Sequence, residues 1–572
     1  MSRLASIQRA ASSPARIPFI IIVVAVAALA VWFLWPSPVE FPMDDTYIHF
    51  VYAQNLVEHR TLMFNSPSET GVGTTSLLWV SLIAGGWALG VPMALTTKAL
   101  GLASLAVVGV AVYLLLSPAW KSLPALITAL LIVLSGHMIW FALSGMETVM
   151  FLALALLALL AYRSEHWVWL GVLLGLLPLT RPEGLALAAA IGVVELWRHK
   201  RLTRGLLIAA GLCLILCAPW FAYLLWRTGH ILPTSGLGRQ ATIQLGLSLV
   251  LERSGALAVL GRIPGLIYVS LWIVYLFEFV LGGMALPPPH ISIGGQVGNA
   301  NYTVSVWAIV GLVTVIVPLL WRAGRKVAAH PKWPGWIQDE ARRPLIVFLI
   351  WLILHNLSYI FFLPIPGTAS RYGAINHLAL WLGLTWGLLS FVGSRRWLWL
   401  AAGLALIATA NTMYWNDVYD ANLDHMQRVR IRSAALLRER FLAEQCAAFD
   451  IGALRYYSRR PLVDLGGLID PALGEWFRAG ELDRYLMERG VTCVFLPGRA
   501  GAVSEGWFDF AAYMGLGTSP LFSTCQLEVI EIDYDRWLLG YLPTNNYQAS
   551  VTVYRLTPGE PASAGGAILP CP

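Results

Sequence analysis

The sequence predicts a polytopic α-helical membrane protein of about eleven transmembrane helices, with exoplasmic juxtamembrane helices and a C-terminal soluble α/β domain. Three observations carry this. Of the 572 residues, 57% are hydrophobic and 12% charged, with 25 Trp and a mean hydropathy of +0.66, which excludes an ordinary water-soluble globule. Apolar runs of roughly 17–22 residues recur as far as Trp415. Beyond Trp415 the chain becomes polar and mixed, with short alternating segments separated by turns. The net charge of +7 calls for no nucleic-acid partner, because Lys and Arg gather in the cytoplasmic loops of membrane proteins.

Taken in order, residues 1–16 are a basic tail and 17–35 an uncleaved signal anchor, so the N-terminus is expected in the cytoplasm. Further candidate spans lie at 75–91, 97–117, 123–142, 147–162, 167–181, 184–197, 204–226, 263–285, 301–321, 344–363, 374–392 and 396–414. If 75–91 crossed, Arg163 and the cluster WRHKRLTR would fall outside, against the positive-inside rule. It reads instead as a helix lying on the outer face. The same test makes 263–285 an interfacial or re-entrant element, because WRAGRK at 321–326 would otherwise be exoplasmic. The membrane domain then spans 17–414, with exoplasmic loops 36–96 and 229–300, and residues 415–572 form the exoplasmic domain.

In that domain AAFDIGAL, PLVDLGGL, VTCVFLP, LEVIEID and VTVYRL read as strands, and GELDRYLMERG as a helix. Cys213 and Cys217 stand one turn apart in a span as small core residues. Cys446, Cys493, Cys525 and Cys571 are exoplasmic and allow up to two disulfides in any of three pairings. No Cys or His spacing implies zinc.

With this topology the unusual polar residues of the membrane part collect on the exoplasmic side. Asp44 and Asp45 open the first loop, within ten residues of a span, where hydrated carboxylates gain nothing from lipid. Their structural reading is a helix cap at Asp44 and a first-turn charge at Asp45, which is compatible with a chemical role. Glu147 follows SGMET; Arg181 and Glu183 lie in TRPEG; His230 and Arg239 lie in TGHILPTSGLGRQ; Arg371, Tyr372 and His377 lie in PIPGTASRYGAINH. Each has a bland reading: Arg181 and Glu183 can pair with each other, and His377 can be a satisfied membrane histidine. Their convergence suits a reaction in which a lipid phosphate leaves and a hydroxyl attacks, since guanidinium binds phosphate bidentately and a carboxylate can take the hydroxyl proton. No nucleotide sugar is available outside the cell membrane, so the donor is expected to be lipid-linked.

At these residues the chain resembles a family. DDTYIHFVYAQNLVEHRTLMFN, TTSLLW, SGMET, LTRPEG and a late RY, in that order, are similar to the polyprenyl-phosphate-sugar-dependent glycosyltransferases of the GT-C fold. The pattern looks closest to the branch of the cell-wall arabinofuranosyltransferases, and DIGALRYYSRRPLVDLGGLIDP resembles the opening of that branch's exoplasmic domain. The resemblance implies that one of Asp44 and Asp45 is the general base and the other holds the acceptor or the base. It implies that Glu147 contacts the acceptor sugar and that Arg181 and Arg371 bind the lipid phosphate. Tyr47, Glu183, His230, Arg239, Tyr372 and His377 are the further residues expected at the substrate site. The resemblance also implies that 75–91 is the juxtamembrane helix. The chain departs from the pattern at Val51, where relatives often carry Arg. It departs also at Gly71-Val72-Gly73-Thr74, where they often have Glu-Gly-Tyr-Thr, and at Leu232 to Ser235, LPTS in place of an LPNT-like turn.

The expected protein is thus an inverting glycosyltransferase of the inner or plasma membrane. It moves a sugar from a polyprenyl-phosphate carrier to an exoplasmic glycan, lipid or protein acceptor. A transporter or flippase of lipid-linked sugars or envelope lipids is the alternative, without the inverted repeat or paired broken helices that transporters often show. A scaffold in envelope assembly is a third reading. No cofactor is expected: oxygen ligands at Asp44 and Asp45 would suit a divalent cation, but Arg can neutralise one phosphate without it.

Overall fold

The computed structural model describes residues 13–35, 39–65, 71–236, 333–362, 368–391, 397–498, 510–532, 550–562 and 566–572, together with a ribbon at 290–292 and 303–305 and isolated helical positions within 318–325. The expected interfacial element at 263–285 and most of the span at 301–321 lie outside these residues. Near the start of the latter, β2 (Thr303–Ser305) pairs antiparallel with β1 (His290–Ser292).

The membrane part is built from α1 (Ser13–Leu34), α2 (Asp44–Glu58), α3 (Leu77–Ala88), α4 (Met93–Trp120), α5 (Ser122–Val133), α6 (Gly136–Leu143), α7 (Thr148–Arg163), α8 (Trp167–Thr180), α9 (Leu185–His199), α10 (Arg204–Thr228), α11 (Arg343–Phe362), α12 (Ala374–Phe391) and α13 (Trp397–His425). Among the described residues four helices are long and apolar enough to cross a membrane: Arg16–Leu34, Met93–Trp120, Arg204–Thr228 and Arg343–Phe361. The α5–α6 pair, bent by 56°, makes a fifth if it is one span. The described residues therefore do not confirm the count of about eleven. The apolar helices α7 and α8 have 16 and 14 residues, short of the ~20 that a ~30 Å hydrocarbon core requires. Helix α3, at 12 residues, is shorter still. It is held at its start by Ser76, whose hydroxyl donates to the Thr180 carbonyl (2.8 Å), and by Trp79, whose indole N–H donates to the Gly145 carbonyl (2.9 Å).

Local chemistry marks the ends of several helices. Thr203 caps α10 by accepting the Leu206 N–H (3.2 Å), and Gly229 closes it in the left-handed region (φ 73°). Where α5 stops, the freed groups are taken up by α13: the Gly136 N–H donates to Asn411 Oδ1 (3.0 Å), and Thr412 donates to the Leu134 carbonyl (2.5 Å). A helix break inside a bundle is stable only when its backbone is satisfied in this way.

The α13 helix does not end at Trp415. It runs on through a π-helical turn, Met426–Ile431, into α14 (Arg432–Arg440), so the division between 414 and 415 falls within one continuous helical rod. Beyond it lie β3 (Gln445–Ala448), α15 (Gly452–Ser458), β4 (Val463–Asp464), α16 (Leu473–Ala479), α17 (Leu482–Glu488), β5 (Val491–Pro497), β6 (Phe522–Glu531), β7 (Ser550–Pro558) and β8 (Leu569–Pro570). The strands form a mixed sheet ordered β4-β3-β5-β7-β6-β8, parallel across β4-β3-β5 and antiparallel across β5-β7-β6. The α/β character expected of this region is present. The segment AAFDIGAL, read as one strand, divides into β3 and the start of α15, because the chain turns at Ile451–Gly452 to meet the membrane part. Cys446 pairs with Cys493 and Cys525 with Cys571, while Cys213 and Cys217 are free and buried.

One apolar core runs across the junction. Phe41, Tyr47, Phe50 and Trp79 of the first loop pack with Ile451, Leu454, Ile469 and Phe495 of the C-terminal domain in a single buried cluster.

Candidate functional site

The chain enters α2 in extended form, with Met43 as the N-cap (φ −126°, ψ 137°), so Asp44 and Asp45 occupy the first turn, where the helix dipole favours anions. Asp44 does not cap its own helix, contrary to the sequence reading. Its carboxylate crosses to the C-terminal domain and accepts the backbone N–H groups of Gly452 (Oδ2, 2.8 Å) and Ala453 (Oδ1, 2.8 Å) at the start of α15. A glycine is required there, because a Cβ at 452 would run into the Asp44 carbonyl. Burial, then the nearby Asp450 carboxylate, push the Asp44 carboxyl up to about 7, against the opposing pull of Arg430 and the Ala453 N–H. Arg430, on the π-helical turn, itself pairs with Asp450 (3.0 Å).

Asp45 pairs instead with Arg371, whose Nη2 lies 2.5 Å from Oδ2. Arg371 sits on the short helical turn Thr368–Gly373, is only 4% exposed, and also reaches Met43 Sδ (3.5 Å) and the Tyr372 hydroxyl (3.3 Å). Burial alone would loosen its proton, but Tyr372, Asp45 and Glu147 keep it firmly charged.

A second charged group adjoins the first. Arg181 donates to Glu147 (2.9 Å), Glu183 (2.6 Å) and the Tyr359 hydroxyl (2.9 Å), and its guanidinium lies 4.8 Å from the centre of the Tyr372 ring. The Tyr359 hydroxyl also donates to Glu183, and its ring stacks on Tyr372 at 5.2 Å. His49 Nε2 stands 3.5 Å from Glu147 Oε2. Burial would raise the Glu183 carboxyl, but Arg181 and then His355 hold it below its ordinary value. Tyr372 thus joins the two arginines, lying against both guanidiniums (4.8 and 5.1 Å).

Of the residues singled out in the sequence, the structure brings together Asp45, Glu147, Arg181, Glu183, Arg371 and Tyr372. Asp44 and Tyr47 lie where the first loop meets the C-terminal domain. Tyr47 accepts the Phe41 N–H (3.1 Å), and its ring lies 5.4 and 5.2 Å from those of Tyr456 and Tyr457. His377 is elsewhere, bonded to Ser135 (2.8 Å) and Trp381 (3.1 Å) beside the α5–α6 break. His230 is exposed just beyond α10, with its backbone against the Thr228 hydroxyl. Arg239 lies outside the described residues. His49, Tyr359 and His355 were not singled out in the sequence. His49 stands five residues after Asp44 in the acidic motif, but Tyr359 and His355 sit in an apolar span that carries no mark of a site. Among the described residues no group of three or more His, Cys, Asp or Glu is arranged to hold a metal ion.

The two loop segments that depart from the family pattern pack together. Val72 and Thr234 bond mutually, N–H to hydroxyl and N–H to carbonyl (both 2.9 Å), and the Gly73 N–H donates to the Tyr52 hydroxyl (2.7 Å). Gly71 lies so close to the Ile469 carbonyl that a Cβ would not fit. Asn65 bonds both the carbonyl (2.9 Å) and the N–H (3.2 Å) of Leu462.

This architecture is similar to that of solved membrane glycosyltransferases. The archaeal oligosaccharyltransferase AglB of Archaeoglobus fulgidus, in complex with an inhibitory peptide and a dolichol-phosphate, superposes with a TM-score of 0.51 at 14% identity, over 88% of this chain and 72% of that chain. ArnT of Cupriavidus metallidurans bound to undecaprenyl phosphate gives 0.49 at 13%, over 95% and 99%, and the mycobacterial arabinofuranosyltransferase AftD gives 0.42 at 15%, over 93% and 39%. The AglB likeness, at this identity, speaks for the fold alone, and that fold is GT-C. More particularly, residues 419–548 match a family described as a domain of unknown function, DUF8728, which covers the end of α13 and much of the C-terminal domain. No curated protein sequence matches the chain.

Proposed function

We propose that this protein is an inverting glycosyltransferase of the inner or plasma membrane, transferring a sugar from a polyprenyl-phosphate carrier to a hydroxyl of an exoplasmic glycan, lipid or protein. The observation that carries the reading is the pair of partly exposed Asp45 with buried Arg371, set beside the Glu147–Arg181–Glu183 group and joined to it by Tyr372. In outline, Asp45 takes the acceptor proton as the new oxygen–C1 bond forms and the C1–phosphate oxygen bond breaks. The polyprenyl phosphate leaves with the bonding electron pair, its charge met by Arg371 and Arg181. The arriving phosphate competes with Asp45 for Arg371, which strips the carboxylate of its partner and makes it more basic when the donor is in place. Glu147 and Glu183 orient Arg181, and Glu147 offers an oxygen to acceptor hydroxyls. Two arginines suffice for one phosphate, so the proposal uses no metal. The N-terminus is cytoplasmic and the C-terminal domain exoplasmic. Within the GT-C class we set the chain beside the arabinofuranosyltransferase branch, on the ordered motifs of its sequence.

The test is turnover of a panel of radiolabelled undecaprenyl-phosphate sugars, with octyl glycosides as acceptors, by the purified full chain in detergent. Asp45→Asn is expected to lower kcat by about 10²–10⁴-fold while undecaprenyl phosphate still binds. Arg371→Ala is expected to weaken undecaprenyl phosphate binding at least tenfold. Full activity of Asp45→Asn would sink the proposed mechanism. Donor carried across vesicles without being consumed would turn the reading to transport.

A further inference from the structure

The two adjacent carboxylates face different partners, and this separates their work. Asp45 shares its charge with Arg371 among the cations of the membrane part. Asp44 commits both oxygens to the backbone of the C-terminal domain, at a glycine that permits the approach. The contact has neighbours of the same kind: Asn65 clasps Leu462, the Tyr47 and Tyr457 hydroxyls meet at 3.4 Å, and the Tyr456 ring lies 5.5 Å from Phe50. Helix α15 therefore stands directly over the acidic motif, with half-buried tyrosines beside it.

We propose that Asp44 is a positioning residue that fixes α15 of the C-terminal domain over the acidic motif, so that this domain forms the acceptor side of the site while Asp45 does the proton transfer. The docking part rests on geometry alone; the part concerning Asp45 rests on the glycosyltransferase reading above. Geometry comes before basicity in choosing a base. A carboxylate already accepting two N–H bonds is poorly aimed at a third partner in the membrane part, whereas Asp45 is beside the groups that would hold a phosphate. Tyr456 and Tyr457 are half-buried at this junction, and an aromatic ring suits the C–H face of a sugar, so the acceptor we infer is a glycan.

The experiment has two independent arms on the purified full chain. Amide hydrogen exchange over residues 450–458 is compared among wild type, Asp44→Asn, Asp44→Ala, Gly452→Ala and Asp45→Asn. Exchange is expected to rise at least tenfold in Asp44→Ala and Gly452→Ala, to a lesser extent in Asp44→Asn, which keeps one acceptor oxygen, and not at all in Asp45→Asn. Unchanged exchange in Asp44→Ala would overturn the docking role, whatever the protein's activity. In the second arm, with undecaprenyl-phosphate sugars and octyl glycosides, Asp44→Asn is expected to raise acceptor KM at least fivefold with kcat within about threefold of wild type. Asp45→Asn is expected to lose kcat. Loss of kcat in Asp44→Asn at unchanged KM would overturn the division of labour. Failure of wild type to turn over any donor would count against the enzyme reading, with exchange still deciding the docking.

Discussion

Asp44 is a carboxylate taken from water, placed beside a second carboxylate at Asp450, and only partly repaid by two backbone N–H groups and by Arg430. Its proton is therefore held more tightly in the folded protein than in the unfolded chain, with the carboxyl raised from 3.8 to about 7. The sign follows: the group's stabilising contribution is fully present below about pH 4 and is lost as pH rises through 7. Asp464 acts in the same direction. It is buried, accepts the Gly466 and Ile469 N–H groups (2.8 Å each) and that of Leu468, and is raised to about 6. The melting temperature of wild type minus that of Asp44→Asn is accordingly expected to be larger at pH 5 than at pH 8. A difference that does not change with pH would show that burial at Asp44 is not what the structure implies. That the first loop carries an acidic pair out of place beside a span was legible in the sequence, since carboxylates there gain nothing from lipid. Which partner each one takes was not, because Arg371 and Gly452 lie hundreds of residues away.

At the level of elements, the α5–α6 break shows how polar residues in apolar helices are used. Asn411 and Thr412 of α13 bond the N–H and carbonyl that the break frees, and Gly136 lets the helices touch: a Cβ there would come within 2.6 Å of Trp415 Cβ and 2.7 Å of the Asn411 carbonyl. His377, with its bonds to Ser135 and Trp381, braces the same place. Asn411→Ala leaves the Gly136 N–H without its acceptor in an apolar bundle, and is expected to cost about 1–3 kcal/mol of stability. Gly136→Ala is expected to cost as much by forcing α13 away. A denaturation series in detergent checks both, and an unchanged midpoint for Asn411→Ala would mean that water or another group satisfies the break. The sequence marked 123–142 as one apolar run. It could not mark the bend, because Ser135-Gly136 is an ordinary pair until a neighbouring helix takes up the backbone.

For the molecule as a whole, two sets of paired charges stand apart among the described residues of the membrane part. Asp45, Glu147, Arg181 and Arg371 gather at the candidate site, while Arg198, Glu165, Glu195 and Arg343 gather with Tyr162 at other helix ends. The C-terminal domain is joined to the site by the unbroken α13–α14 rod and by a core shared with α2 and α3. Its sheet is stapled twice, and the Cys525–Cys571 bridge, closing 46 residues, holds the β8 end against β6. Replacing both cysteines by serine is expected to destabilise the domain by up to about 4 kcal/mol on the loop-entropy account. Hydrogen exchange should rise at residues 566–572 and in β6 before it does in α15. Simultaneous loosening of α15 would show that the sheet and the docking helix unfold as one unit.

Composition and period alone determined that the chain is a helical membrane protein with a C-terminal α/β region, because burial in lipid and in a sheet face imposes repeats that any reader of the sequence can count. Local chemistry also marked Asp44, Asp45, Glu147, Arg181 and Arg371 as out of place in their surroundings. Only the tertiary structure decided that Asp45 goes with Arg371 and Asp44 with Gly452. It likewise decided that Tyr359 and His49 join the charged group, and that 75–91 contains a 12-residue helix held by Thr180 and Gly145. These are contacts between residues far apart in the chain, and no periodicity records them: hydrogen-bond geometry and desolvation choose the partner only once the backbone has brought the candidates within about 3 Å of each other.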